Sequence, residues 1–184
     1  SGHAVGAPGV VRLYEMVHKR YGALPWADLF EPALLLARDG FVVSPRLANY
    51  LPFMAESTRL ALNPGTKDYF YPDGQPLEAG QLLKNPEYAQ TLERLASEGA
   101  DAFYTGDIAE AIVAATRLAP RPGTLTLADL AGYRAVERPV ICGPFRDLKI
   151  CTTTPPSSGG AQIMIASLYD HLLPEEPTQM DRVQ

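Results

Sequence analysis

Apolar side chains recur at helical spacing over most of the first two-thirds of the chain, which predicts a series of short amphipathic helices. The first covers residues 10–21 and should end at Gly22. The second runs from about Pro25 to Gly40, and Pro32 either lies in its first turns or splits it.

A third helix is predicted after Ser44, whose side chain suits the N-cap position. It should reach roughly Leu62, and Pro52 should kink or break it. The next stretch, residues 66–84, combines turn residues with several aromatic side chains. We therefore expect a surface loop there.

Further helical segments follow before the pattern changes. Asn85 should cap the longest of them, and Gly99 should end it. Asp107 is expected to cap the next helix, and Thr126 or Leu127 to open a short helical turn.

Beyond Tyr133 the residue types favour strands over helices. Residues 137–142 and 148–153 are the two candidate strands, which a turn at Gly143 and Pro144 would join in a hairpin. A last helix is predicted to follow the second strand.

The composition is that of a folded domain. The 184 residues are 46% hydrophobic and 20% charged, and a chain of this length commonly forms one domain. We predict an α+β fold in a single incomplete domain, mainly helical over residues 1–132 and a β-hairpin plus helix over residues 133–184. The chain begins without Met and stops at a polar end, so we expect a fragment.

Charge and hydropathy argue against two kinds of partner. The 16 basic and 21 acidic residues are interleaved and give a net charge of −5, so no basic block faces nucleic acid phosphates. No apolar run approaches the ~20 residues that a transmembrane helix needs. We therefore predict no nucleic acid partner and no membrane span.

The chain has two cysteines, Cys142 and Cys151. Two thiols are too few for a disulfide framework or a four-thiolate zinc site. They would face each other if the hairpin turned at Arg146 and Asp147, but we expect free thiols because the register cannot be read from the sequence. No metal or cofactor is predicted.

Several short motifs occur in an order and spacing typical of one family. They are Val5-Gly6-Ala7-Pro8-Gly9, Tyr21-Gly22 before Pro25-Trp26, Glu31-Pro32-Ala33, Leu36-Ala37-Arg38-Asp39-Gly40-Phe41, Glu98-Gly99-Ala100-Asp101-Ala102-Phe103-Tyr104-Thr105-Gly106 and Pro155-Pro156-Ser157-Ser158-Gly159-Gly160. Over nearly its whole length the chain thus resembles γ-glutamyltranspeptidase, and specifically an internal piece of the large subunit.

The resemblance implies an N-terminal nucleophile hydrolase of αββα architecture. In this family a precursor cleaves itself, and the Thr exposed at the start of the small subunit attacks a γ-glutamyl amide, with its own α-amino group as base. The implied substrate is glutathione or a related amide, the implied partner is the small subunit of the same precursor, and the implied location is periplasmic or extracellular. Because that nucleophile lies beyond this chain, we expect no catalytic residue here and no activity from the chain alone.

Residues that invite a catalytic role have simpler interpretations. The run Thr152-Thr153-Thr154 fits the end of a strand before proline better than a processing site. The next motif is interpreted as structural, with a serine capping the last helix and glycines allowing close packing, although a serine nucleophile or an anion site is the sharper alternative. Its residues are Pro155, Pro156, Ser157, Ser158, Gly159 and Gly160.

Other titratable side chains receive no role in chemistry. The histidines lack the spacing of metal ligands; they are His3, His18 and His171. Four carboxylates fit helix ends, namely Asp101, Asp107, Glu110 and Asp129. The family resemblance assigns the arginine that binds the substrate carboxylate to a motif upstream of this chain. We therefore do not expect that role for Arg12, Arg38 or Arg138.

Two alternative functions remain open. One is a fragment of a related acylase of the cephalosporin or glutaryl type, or of a poly-γ-glutamate-processing homologue, all of which share the scaffold. The other is a non-catalytic helical binding module. Apolar faces left without their neighbours also lead us to expect self-association.

Overall fold

The computed structural model describes residues 2–58, 60–61, 63–118 and 121–172. The chain divides into two compact units, Ser1–Ala135 (unit 1) and Val136–Gln184 (unit 2). Unit 1 combines helices with one small sheet, and unit 2 combines a hairpin with a helix. The α+β character predicted from the sequence is therefore confirmed.

Unit 1 consists of short helices linked by tight turns. Its helices are α1 (Val10–Tyr21), α2 (Glu31–Asp39), α3 (Pro45–Ser57), α4 (Pro64–Phe70), α5 (Pro86–Glu98), α6 (Asp101–Tyr104), α7 (Gly106–Thr116) and α8 (Leu127–Gly132). Its strands, β1 (Phe41–Val42) and β2 (Leu82–Leu83), pair antiparallel. Single 3-10 turns cover Gly2–Ala4, Ala27–Phe30 and Pro72–Gly74.

Polar side chains begin several of these helices, as the sequence predicts. Ser44 caps α3 and Asn85 caps α5, each through a side-chain oxygen that accepts a backbone N–H of the first turn. Asn63, which was expected to end a helix, does the same for α4. Thr126 and Asp129 form a reciprocal capping box at the start of α8.

The predicted second helix is divided into two segments, and glycines end α2 and α5. Residues 27–30 form a 3-10 turn, and α2 then begins at Glu31 with Pro32 in its first turn. Gly40 ends α2 and Gly99 ends α5, as predicted. Their φ values of 97° and 81° are ones that only glycine adopts without strain.

Helix α3 contains the proline that was expected to kink or break it, and it ends earlier than predicted. Pro52 lies inside α3 without breaking it, because the adjacent Leu51 is only 2% exposed and holds the helix against the core. The helix ends at Ser57, and the predicted end, Leu62, lies outside the described residues. Thr58 stops it, since the Thr58 hydroxyl donates to the carbonyl of Met54 at 2.6 Å while its backbone becomes extended.

The prediction of a surface loop over residues 66–84 is wrong. This stretch contains most of α4 and supplies Tyr71, Leu77 and Leu83 to a buried cluster that also includes Leu51. The Tyr71 hydroxyl donates to the Leu51 carbonyl at 2.7 Å. Burying these apolar groups outweighs the turn propensity of the glycines and prolines around them.

A second core lies among α6, α7 and α8. Its buried members are Tyr104, Ala109, Val113, Leu125 and Leu130. The Tyr104 ring is 1% exposed and stacks on the ring of Tyr133, with centroids 5.8 Å apart. A third cluster joins α2 to α5 through Ala37, Ala89 and Leu92.

Unit 2 is a hairpin with a helix packed on it. Strand β3 (Ile141–Phe145) pairs antiparallel with β4 (Leu148–Thr152), and α9 (Gly159–Leu172) follows. The Tyr169 ring of α9 lies 6.2 Å from the ring of Phe145. The prediction of a hairpin followed by a helix is confirmed.

The hairpin turns at Arg146 and Asp147, so the prediction of a turn at Gly143 and Pro144 is wrong. Arg146 has a φ of 53°, the left-handed conformation that tight hairpin turns use. Gly143 is instead buried inside β3, where Ile163 of α9 occupies the space into which a side chain would project. This glycine marks a close approach of helix to strand.

Cys142 and Cys151 form a disulfide, so the prediction of free thiols is wrong. With the turn at Arg146 and Asp147, the register places the two cysteines directly opposite each other. Directly opposed residues of an antiparallel pair have Cβ atoms close enough for a bond between the sulfurs. The register, which the alternation of residue types leaves open, decides the pairing.

Helix α9 keeps an apolar stripe exposed on the side away from the hairpin. Its members are Met164, Ile165, Leu168 and Leu172. An exposed apolar stripe of this kind usually packs against another surface. Within the described ranges, no helix combines the length and the apolar character that crossing a membrane requires.

Candidate functional site

Helix α1 turns a charged face, formed by Arg12 and Glu15, towards the rest of unit 1 and leaves several of its apolar side chains exposed. The side chains of Arg12 and Glu15 are 14% and 17% exposed, whereas Tyr14, Val17 and Tyr21 are exposed. Amphipathic helices on a protein surface usually have the opposite orientation. The helix itself and its end at Gly22 match the prediction.

An ion-pair cluster lies beneath this charged face. The two terminal nitrogens of Arg12 contact Glu15 at 3.0 Å and Asp101 at 2.8 Å, and Lys19 reaches Glu15 at 3.1 Å. The Arg12 guanidinium also lies 4.6 Å from the centre of the Tyr104 ring. The cluster thus ties α1 to α6.

Burial and ion pairing act in opposite directions on this cluster. Burial works to lower the pKa of Arg12, but the hydrogen bonds to Asp101 and Glu15 outweigh it and raise that pKa. Burial works to raise the pKa of Glu15, but the hydrogen bonds from Lys19 and Arg12 outweigh it and lower that pKa. Both groups are charged at neutral pH, and both terminal nitrogens of Arg12 are committed to carboxylates of this chain.

The Tyr104 hydroxyl completes the start of α1. It donates to the carbonyl of Pro8 at 2.7 Å and accepts the backbone N–H of Arg12 at 3.1 Å. The residue at the N-cap, Gly9, has no side chain, and a Cβ there would collide with the hydroxyl of Tyr133. Tyr104 therefore caps the helix from a position far away in the sequence.

The motif that follows β4 forms the junction between that strand and α9. The Thr152 hydroxyl donates to the side-chain oxygen of Gln162 at 2.9 Å, and the Gln162 backbone N–H donates to the Ser158 carbonyl at 3.0 Å. Gly159 is buried, and a Cβ there would overlap the carbonyl of Thr153. The contact requires glycine at this position.

The serines of this motif are exposed. Ser157 donates its backbone N–H to Thr154, and the Ser158 hydroxyl lies 3.5 Å from the amide nitrogen of Gln162. Among the described residues, no histidine or carboxylate hydrogen-bonds either hydroxyl. Activation of a serine requires such a neighbouring base. Pro155 and Pro156, joined by a cis bond, precede the serines, and Gly160 has open space around it.

Other candidate residues make local contacts. His18 Nε2 is 2.8 Å from the Leu24 carbonyl oxygen. Asp107 does not cap α7 as predicted, because the extended Thr105 holds the N-cap position and Asp107 pairs with Arg94 at 2.5 Å. The described part of the chain contains no group of three His, Cys, Asp or Glu side chains placed to hold a metal ion.

An apolar groove beside Trp26 was not predicted from the sequence. It encloses about 480 Å³. The Trp26 indole N–H donates to the Leu95 carbonyl at 2.8 Å, which fixes the ring at its floor. The groove is lined by Tyr14, Val17, His18, Tyr21, Gly22, Trp26, Leu29, Phe30, Ala33 and Leu92.

Comparison with known proteins identifies the family. The sequence profile described as "Gamma-glutamyltranspeptidase" matches residues 1–184. The chain belongs to the gamma-glutamyltranspeptidase family.

Its relatives within the family include different enzymes. The glutathione hydrolase proenzyme of Arthroderma benhamiae is 41% identical over 176 residues, which are 92% of this chain and 29% of that protein. The acylase ACY 1 proenzyme of Pseudomonas sp. is 38% identical over 160 residues, or 87% of this chain and 28% of that protein. The Helicobacter pylori gamma-glutamyltranspeptidase structure has a TM-score of 0.83 at 32% identity, covering 93% of this chain and 48% of that chain. This gamma-glutamyltranspeptidase family chain thus spans less than a third of the length of these two curated relatives.

Proposed function

We propose that this chain is part of the large subunit of an enzyme that transfers or hydrolyses the γ-glutamyl group of glutathione and related amides. The observation that carries the proposal is the family match over residues 1–184, together with 41% identity to a glutathione hydrolase proenzyme. The chemistry proceeds through an acyl-enzyme on a Thr that begins the small subunit, outside this sequence.

The chain itself supplies scaffold and no nucleophile. Three observations on the described residues support this assignment. Ser157 and Ser158 are exposed without a neighbouring base. The Thr152 hydroxyl donates to Gln162 within unit 2. The Arg12 guanidinium is held between Glu15 and Asp101. The motif from Pro155 to Gly160 has a structural role, joining β4 to α9.

The finer architecture follows from the same assignment. Unit 1 is the mostly helical part of the large subunit of an αββα N-terminal nucleophile hydrolase, and the hairpin and α9 of unit 2 join its central sandwich. The apolar stripe of α9 is then covered by other segments of the assembled enzyme. The small subunit of the same precursor is the partner that completes the active site.

The test is hydrolysis of a γ-glutamyl anilide by the whole precursor and by this 184-residue chain, at equal molar concentration. We expect turnover by the processed precursor and none by the chain. Turnover by the chain would overturn the scaffold assignment and redirect attention to Thr152 and Ser157. A precursor that processes itself normally but does not cleave the γ-glutamyl anilide would remove the γ-glutamyl assignment and favour a related acylase, whereas a precursor that does not process itself would leave the non-catalytic binding module as the explanation.

A second candidate is an acylase that acts on cephalosporin or glutaryl amides. It is favoured by the 38% identity to the acylase ACY 1 proenzyme, close to that of the glutathione hydrolase. One experiment distinguishes the two functions: the same precursor is assayed with a γ-glutamyl anilide and with a glutaryl anilide. The substrates differ only in the α-amino group, so the ratio of kcat/KM values measures recognition of that group.

A further inference from the structure

The Cys142–Cys151 disulfide lies on the exposed face of the hairpin. Side chains alternate along a strand, so Cys142 lies on the face opposite the buried Gly143, which contacts α9. Cys151 is the direct partner of Cys142 and shares its face. Both cysteines are exposed, as is Lys149, which shares this face two residues before Cys151. A thiol in solution can therefore approach the sulfurs.

We propose that this disulfide is a thiol-exchange site through which small thiols control the order of the junction between β4 and α9. In the first step a thiolate attacks the Cys142 sulfur, the bond between the cysteines breaks, and Cys151 leaves as a thiolate that takes up a proton. A second thiol attacks the mixed disulfide and releases Cys142 as a thiol. Two thiols are oxidised to one small disulfide, and the protein disulfide is reduced by two electrons.

The junction lies next to the disulfide in the chain. Thr152, immediately after Cys151, donates to Gln162 in the first turns of α9. The carbonyl of Thr153 abuts Gly159, the first residue of α9. Any loosening of β4 therefore reaches the start of the helix directly.

Apart from the disulfide, the hairpin is held mainly by its contacts with α9, among them Gly143 against Ile163 and Arg146 against Asp170. A two-stranded hairpin is marginally stable in water unless a helix packs against it, so the order of this hairpin and that of α9 depend on each other. Pro144 has no N–H to donate to the ladder, and its neighbour Gly143 has no side chain to pack across the strands. Chain-entropy arguments for a closed loop of about ten residues predict that the disulfide changes the opening equilibrium by about 100-fold.

The experiment incubates the purified chain with mixtures of reduced and oxidised glutathione and then blocks free thiols with iodoacetamide for mass analysis. We expect no blocked cysteine under oxidising mixtures, one glutathione adduct at intermediate ratios and two blocked cysteines under reducing mixtures. Labelling of both cysteines before any thiol is added would overturn the proposal. So would a disulfide that reacts only after urea is added, since that would show the sulfurs to be shielded.

The control of junction order is tested by hydrogen exchange of the amides of residues 152–162. Reduction should speed their exchange by about 10- to 100-fold, while the amides of α5 in unit 1 keep their rates. The double variant Cys142→Ser/Cys151→Ser should show the fast rates without any thiol and should not respond to glutathione. Equal exchange in the oxidised, reduced and double-variant proteins would contradict the control of the junction. Both measurements are independent of γ-glutamyl transfer activity.

Discussion

The Tyr104 cap makes a quantitative prediction for the substitution Tyr104→Phe. The change removes one oxygen and leaves the ring, so the stacking on Tyr133 and the contact with the Arg12 guanidinium are retained. Two hydrogen bonds are lost, one to the Pro8 carbonyl and one from the Arg12 backbone N–H.

Each lost hydrogen bond can be assigned an energy. The N–H of Arg12 is one of the first four of α1, which have no partner within the helix, and loss of an N-cap costs about 1 kcal/mol. The Pro8 carbonyl loses its donor beside a buried ring, which costs about 1 kcal/mol more. Tyr104→Phe should therefore lower the free energy of unfolding by about 2 kcal/mol and the melting temperature by about 4–8 °C.

The assay is urea unfolding followed by far-UV circular dichroism, with hydrogen exchange at the Arg12 amide as a local readout. The matched control is Tyr88→Phe, because Tyr88 is exposed and, within the described residues, its hydroxyl makes no hydrogen bond. This control should change stability by less than about 0.5 kcal/mol. A loss below that value for Tyr104→Phe, or unchanged protection of the Arg12 amide, would refute the capping role.

Three further predictions concern other parts of the chain. Gly159→Ala should lower the free energy of unfolding by more than about 2 kcal/mol, because the new Cβ would overlap the carbonyl of Thr153. The control Gly160→Ala lies in open space and should leave the free energy of unfolding unchanged or raise it by up to about 1 kcal/mol. Equal urea midpoints for the two variants would contradict this prediction. The pKa of Glu15 is lowered on folding because ion-pair hydrogen bonds outweigh burial. Its contribution to stability is therefore complete above the unfolded pKa of about 4.3 and lost as the pH falls through the lower folded value. Stability measured from pH 7 down to pH 3 should fall less steeply for Glu15→Gln than for the unchanged chain, and parallel curves would contradict the ion-pair assignment. The exposed apolar stripe of α9 should drive self-association of the chain, which sedimentation equilibrium would detect. The substitution Leu168→Glu should weaken this association. A chain without substitutions that is strictly monomeric would refute the prediction.

Features of the fold that depend on neighbouring residues could be predicted from the sequence. The beginning of α5 at Asn85 and its end at Gly99 each depend on one side chain and a few backbone groups nearby. The same holds for the capping box of Thr126 and Asp129. Local chemistry of this kind is present in the sequence itself.

Features that depend on distant contacts could not be predicted. The turn at Arg146, and with it the disulfide between Cys142 and Cys151, depends on how α9 packs against the hairpin. The periodicity of α1 shows that it is amphipathic but not which face is covered. The burial of Tyr71 in a stretch rich in turn residues likewise depends on the tertiary core, which includes Leu51.

The candidate site likewise combines features that can be predicted from neighbouring residues with features that depend on distant contacts. The motif from Pro155 to Gly160 is visible as a sequence pattern, whereas its contact with Thr153 becomes apparent only when the strand and the helix meet. The sequence contains one local indication of the groove beside Trp26, namely a lone tryptophan in an otherwise ordinary turn. Its lining comes from α1, α2, α5 and the 3-10 turn at residues 27–30, which no short window of sequence contains.

Trp26 also gives this chain a built-in optical probe. It is the only tryptophan, and its ring is held in unit 1 by the Leu95 carbonyl and by edge contacts with His18 and Phe30. Fluorescence excited at the indole band therefore reports on the groove alone, while circular dichroism reports on both units. A red shift that precedes the loss of ellipticity would mean that the groove opens before the helices melt. The two signals together therefore distinguish a change at the groove from the loss of helical structure.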